Sequence, residues 1–342
     1  MRIFAWTVAI LLGASGAAWP AWAQPQPRAI EVPATHSWQH ARTEMILPTR
    51  SAGLTRREIS DLGSEEMDVV VHYVGAEGVL ASVFLFRTAV PEPALWFDRA
   101  AAAISFDPSY GLRGAPLPAP APFARPGAAA TSGLRVSVDL PTGQFRSTGL
   151  AVAPLGDHLL KIKISATSLD RAALDALLTR FIEGLRWPAP RPGERAAAPI
   201  EPCARPLTLR NARIVRSGMA EVLMDAVLGS AATEGERQLP VYCREPGATR
   251  DYGVYRADGS RNSYLIALSD AGIALALGEA GDLGELLSGG RGGRRVSMTL
   301  LERASTAVLP SFNRLPPPAQ AMSVAFNTRG NVISVSTRPP RE

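Results

Sequence analysis

Lysine, cysteine and histidine are all scarce in this chain. Of its 36 basic residues only Lys161 and Lys163 are lysines. The arginines are spread along the whole length, and they accompany abundant alanine, proline and glycine. That pattern reports a GC-rich genome. A phosphate-binding surface would need the arginines clustered, so no nucleic-acid partner is expected. The local exception is Arg291, Arg294 and Arg295 in "SGGRGGRR". It reads as a glycine-loosened turn, with anion binding as the sharper alternative. The two cysteines, Cys203 and Cys243, lack metal-ligand spacing and the C-x-x-C spacing of a redox pair. In an oxidising compartment such a pair reads as one structural disulfide.

Catalytic signatures are missing as well. There is no G-x-S-x-G elbow, no S-x-x-K, no P-loop, no H-E-x-x-H and no EF-hand pattern. No catalytic residue and no cofactor is therefore assigned. Two of the four histidines, His36 and His40, lie in "THSWQH". Residues four apart share a face on a helix and on a strand, but they are about 6 Å apart on the first and about 13 Å on the second. Only a helix would let both hold one metal ion, and Pro33 before them with "TEMILP" after them favours an extended segment. His72, in "DVVVHYV", reads as a partly buried strand histidine. His158 follows Asp157 at a turn; adjacent side chains on a strand point to opposite faces, so Asp157 is expected not to orient that imidazole as a triad requires. Glu221 with Asp225, and Asp61, Glu65, Glu66 and Asp68 in "DLGSEEMD", read as solvated surface, against an acid–base pair and a calcium cradle respectively.

The ends and the proline distribution suggest the organisation. Arg2 precedes a charge-free stretch from Ile3 to Trp19, and Ala21-Trp22-Ala23 offers the small-x-small pattern of a signal-peptide cleavage site. A membrane anchor is the competing reading, weakened by Gly13, Gly16 and Pro20. Residues 1–23 are expected to be removed near Ala23, leaving a periplasmic or secreted chain with no transmembrane segment. That chain divides into a domain at 24–187 with a Pro/Ala-rich loop at 115–130, a Pro-rich linker at 188–202, a smaller domain at 203–337 and a tail at 338–342.

Within the first domain, "ARTEMILP", "EMDVVVHYVG" and "VLASVFLFRT" read as strands. A helix follows in "ALWFDRAAAAI", then three more strands in "LRVSVDL", "STGLAVAPL" and "HLLKIKISAT". Thr167 with Asp170 forms a capping-box pattern ahead of a helix burying Leu174, Leu177, Leu178, Phe181, Ile182 and Leu185. The second domain reads as a helix starting at Ser217 followed by hairpins turning near Asp258-Gly259, Asp270–Gly272 and Arg329–Asn331. The fold class is α+β: two domains, each a mainly antiparallel sheet with one or two packed helices, joined by the Pro-rich linker.

The β-β-β-α-β-β-β-α order of the first domain, with its "LP" near the first strand and its closing amphipathic helix, resembles the PsbP-like α/β sandwich over about 150 residues. That resemblance implies an accessory or binding role. The stretch "LTRREISDLGSEEMDVVVHYV" is similar to uncharacterised exported proteins of alphaproteobacteria, a likeness that implies no activity.

The function expected from these readings is a non-catalytic exported accessory or binding protein. Trp38, Trp96, Tyr252, Tyr255 and Tyr264 are the candidate lining of a small-ligand groove. The alternatives are an envelope assembly component that pairs with another envelope protein, and an envelope hydrolase with dispersed site residues.

Overall fold

The computed structural model describes residues 27–191, 193–215, 240–257, 259–279, 295–327 and 333–336. The signal-peptide reading, the helix from Ser217, the Glu221/Asp225 pair, Arg291 and Arg294, the turn near Arg329–Asn331 and the tail lie outside these residues.

The first unit comprises β1 (Arg28–Ala29), β2 (Trp38–Gln39), β3 (Ile46–Leu47), β4 (Arg50–Ser51), β5 (Leu54–Asp61), β6 (Asp68–Val74) and β7 (Val79–Arg87). Helix α1 (Pro93–Phe106), β8 (Ala121–Phe123), β9 (Gly133–Asp139), β10 (Ser147–Leu155), β11 (His158–Ala166) and helix α2 (Arg171–Gly184) follow. The sheet order is β1-β5-β6-β7-β11-β10-β9-β8, with β4 also on β5 and every pairing antiparallel. Two meanders, each followed by a helix, thus meet at the β7–β11 pair. The six-strand order agrees with the sequence pattern except at the start. "ARTEMILP" supplies only β3, paired with β2 in a separate small hairpin, and the first long strand is instead β5. A register shift between Arg56 and Glu58 interrupts its alternation, so its period of two is not visible in "LTRREISD".

The second unit comprises β12 (Glu201–Pro202), β13 (Ile214–Val215), β14 (Tyr242–Arg244), β15 (Tyr252–Ala257), β16 (Ser263–Leu268), β17 (Ile273–Glu279), β18 (Val296–Leu301), β19 (Ser305–Phe312), helix α3 (Pro318–Asn327) and β20 (Ile333–Ser336). These strands run in the order β12-β14-β15-β16-β17-β18-β19-β13, with β20 also on β19. Among the described residues, only the two-residue β12–β14 contact is parallel in this sheet. There Cys203 and Cys243 form a disulfide with Cα atoms 4.9 Å apart. The molecule is therefore α+β, built on two mainly antiparallel sheets with packed helices.

Strand alternation sorts the apolar residues into three cores. On one face of the first sheet, Val69, Val71, Val83, Leu160 and Ile162 pack against the α2 stripe of Leu174, Leu178 and Phe181. The N-cap of α2 is Asp170, whose carboxylate accepts from the Ala173 N–H at 2.9 Å. Thr167 is not the cap: its hydroxyl donates to the Glu77 carbonyl. The opposite face packs Phe86, Leu134, Leu150 and Val152 against Leu95, Trp96, Phe97 and Ile104 of α1, and the same cluster continues into Tyr255, Leu265, Ala267 and Ala274 of the second sheet. The far face of that sheet buries Ile266, Leu275, Leu277 and Met298 beneath Ala321 and Ala325 of α3. At about 25 cal/mol per Å² of apolar area, burial on both faces of each sheet is the dominant stabilising term.

A polar seam surrounds the shared middle core. Arg99 of α1 is fully buried, and its guanidinium donates to the carbonyls of Ser269, Thr249 and Arg250 at 2.8–3.1 Å. Asp98 pairs with Arg244 and accepts from the Tyr255 hydroxyl at 2.6 Å. Lys161 meets Asp270 at 2.6 Å, and Arg303 meets Asp68 at 2.5 Å. Among the described residues of the stretch 188–202 there is no helix or strand before Glu201. It is nonetheless tied down, since Arg125 of the Pro/Ala-rich loop donates to the Pro188 carbonyl and to Glu194.

Candidate functional site

The five candidate groove aromatics do not gather on an open surface. Trp38, Trp96, Tyr255 and Tyr264 are buried, and Tyr252 is half-buried against the third core. Each buried polar tip that binds is used once within the fold. The Trp96 indole donates to the Val90 carbonyl at 2.7 Å, and the Tyr264 hydroxyl donates to the Pro316 carbonyl at 2.7 Å. Burial pushes the Tyr264 and Tyr255 phenols up from their ordinary range. A large ring with one satisfied polar handle is a good core residue, and strand periodicity gives such a ring the same signal whether its face meets a core or a ligand.

The histidines also separate. His36 is exposed, whereas His40 is fully buried and has both ring nitrogens engaged, one with the Thr43 hydroxyl and one with the Glu66 carbonyl, each at 2.8 Å. Burial holds its pKa down at about 4. The two therefore do not converge on one ion, and among the described residues no group of three or more His, Cys, Asp or Glu side chains is arranged to hold a metal. His72 is half-buried beside the Ser82 hydroxyl at 3.1 Å.

Asp157 and His158 depart from the expectation that they cannot pair. Asp157 sits in the turn before β11, not in the strand, so its carboxylate folds back to the His158 Nδ1 at 2.8 Å and takes Arg87 at 3.1 Å. Burial raises the Asp157 pKa, but the His158 hydrogen bond and the two neighbouring charges outweigh it and hold the carboxyl at about 2. The imidazole is enclosed, however, although the Asp157 carboxylate is exposed. His158 is buried at the His40 ring, with centroids 5.5 Å apart, and its Nε2 meets no hydrogen-bond partner. General-base catalysis requires a nucleophile or substrate proton within reach, and no hydroxyl or thiol bonds that nitrogen. The acidic stretch is structural too. Asp61 accepts from the Gly63 and Glu66 N–H groups, Glu65 pairs with Arg42, and Asp68 pairs with Arg303.

A groove of about 330 Å³ opens on the second unit. Its floor is Leu207, Leu209, Leu315 and Val296, and Arg210, Arg261 and Arg314 stand exposed around it. None of these three arginines pairs with a carboxylate among the described residues. The one acid in the lining, Glu279, accepts from the Asn262 amide at 3.2 Å. Three guanidiniums against one carboxylate make the groove cationic, and exposed arginines bind carboxylate or phosphate with a planar fork. Sequence reading missed these residues because they come from five separate stretches: the segment after Cys203, the β15–β16 turn, the end of β17, the start of β18, and the exit of β19. Each is an ordinary loop arginine or leucine by itself.

Comparison with protein families, with curated proteins and with solved structures finds no match to this chain.

Proposed function

We propose that this chain is an exported, non-catalytic binding protein that takes an anionic, partly apolar ligand in the groove of its second unit. The observation that carries this reading is the convergence of Arg210, Arg261 and Arg314, none of them paired to an acid among the described residues, on a leucine-floored opening of about 330 Å³. That volume is within the range of small-ligand sites, which combine apolar walls with a few polar groups that orient the ligand. The Cys203–Cys243 disulfide is compatible with an oxidising compartment. No helix among the described residues is long and apolar enough to cross a membrane. The burial of His158, whose Nε2 meets no hydrogen-bond partner, favours binding over hydrolysis.

Two measurements test the proposal. N-terminal sequencing of the chain from a periplasmic fraction is expected to begin at Gln24. Native mass spectrometry of that material, followed by calorimetric titration with decanoate and dodecyl phosphate, is expected to show an anionic amphiphile that the R210Q/R261Q/R314Q variant loses. Binding that survives the triple variant would sink the groove assignment. A stable complex with another envelope protein and no amphiphile bound would shift the reading to assembly.

A further inference from the structure

The two lysines of this arginine-dominated chain lie two residues apart on β11, so both point from the same face of the first sheet. They line one cleft of about 70 Å³ between that sheet, α1 and the Asp270 turn of the second unit. Their environments differ. Lys161 is buried, pairs with Asp270 at 2.6 Å and lies 4.2 Å from the Phe84 ring centroid. Lys163 is half-buried, stands 5.6 Å from the Tyr110 ring centroid and has no ion-pair or hydrogen-bond partner among the described residues.

We propose that this cleft is a second binding site, distinct from the arginine groove, and that it takes a short-chain monocarboxylate with its carboxylate on the Lys163 ammonium. Three features choose this class. The walls include Ala103 and Ile104 of α1 with Leu150 of β10, which suit a short aliphatic body. Asp270 and Asp107 already bring two carboxylates to the lining, so a dianion such as phosphate meets about twice the repulsion that a monoanion does. Finally, lysine ends in a compact point charge where arginine ends in a longer planar fork. In a chain whose remaining Lys/Arg positions are all arginine, the smaller head at 161 and 163 keeps the cleft open. The space holds a few water-sized molecules, and a guanidinium would fill much of it.

The scarcity of lysine supplies the assay. Selective 13C-lysine labelling of the full-length mature protein yields two side-chain Cε–Hε signals, assigned with the K163R variant. Propionate is titrated against sodium chloride at matched ionic strength, and then against inorganic phosphate. The Lys163 signal is expected to move saturably with propionate and not with chloride, with Lys161 following as a neighbour. In K163Q, read from the Lys161 signal, affinity falls about tenfold or more, the scale of one charge-assisted hydrogen bond. In K163R it falls although the charge is kept. The unliganded Lys161 shift reports that each variant is folded. Shifts that only track ionic strength, native affinity in K163R, or preference for phosphate each overturn the proposal. The R210Q/R261Q/R314Q variant retains this site, so the groove and the cleft fail or survive independently.

Discussion

His40 is neutral in the folded chain because it is fully buried and both ring nitrogens are already engaged. Its folded pKa of about 4 lies below the ordinary 6.5, so the unfolded chain binds the extra proton first as pH falls. Stability contributed by the neutral ring is complete above about pH 6.5 and is lost as pH drops toward 4, by on the order of 3 kcal/mol. Urea denaturation across pH 4–7 checks this, and His40→Asn is expected to flatten the slope. At the seam, Asp270→Ala leaves the buried Lys161 ammonium without its partner. The expected cost is about 3 kcal/mol, read as a lower urea midpoint with an unchanged slope. An equal midpoint would mean that the ammonium finds water in the cleft. Neither effect is legible in the sequence, where "QH" and "SD" are ordinary dipeptides and burial alone makes their charges costly.

At the scale of elements, helices and strands were legible where apolar periodicity was undisturbed. The α2 stripe and the hairpins of β6–β7 and β10–β11 follow from it directly. It failed where one residue altered the period. The shift at Arg56/Glu58 hid β5, and the placement of Asp157 in a turn created a dyad that strict strand alternation excludes. The disulfide was legible from count and spacing. It anchors β12, whose pairing with β14 is only two residues long. Closing a loop of about 40 residues stabilises by about 4 kcal/mol in the chain-entropy model. The C203S/C243S variant is expected to lose up to that amount. Hydrogen exchange should quicken at the Cys203 amide, which donates to the Arg244 carbonyl at 2.9 Å. Unchanged exchange there would show that the pairing holds without the bond.

For the whole molecule, the middle core is the decisive feature, because it is drawn from both sheets and from α1. Residues that complete one unit's core belong to the other, so the two are expected to unfold in a single transition, with calorimetric and van't Hoff enthalpies equal. Gly272 tests the contact directly. It has φ +81°, its carbonyl accepts from the Ala89 N–H at 2.8 Å, and an added Cβ would lie 2.7 Å from the Arg87 carbonyl oxygen. Gly272→Ala is expected to cost more than about 1 kcal/mol. Gly259→Ala, with φ +76° and nothing within 4 Å, carries only the backbone part of that cost. Equal effects would argue against a tight seam.

The sequence by itself determined the α+β class, most of the strands and helices of the first unit, and the cysteine pairing, because these depend on local periodicity and on the count of one residue type. It could not decide which face of an alternating strand meets a core and which meets a ligand. The tertiary structure buried Trp96, Tyr255 and Tyr264, which periodicity alone had left open as groove residues. It gathered Arg210, Arg261 and Arg314 from separate loops, and it turned the only two lysines into one cleft. Those outcomes depend on contacts between residues far apart in the chain, and the energy of such contacts has no counterpart in the local pattern.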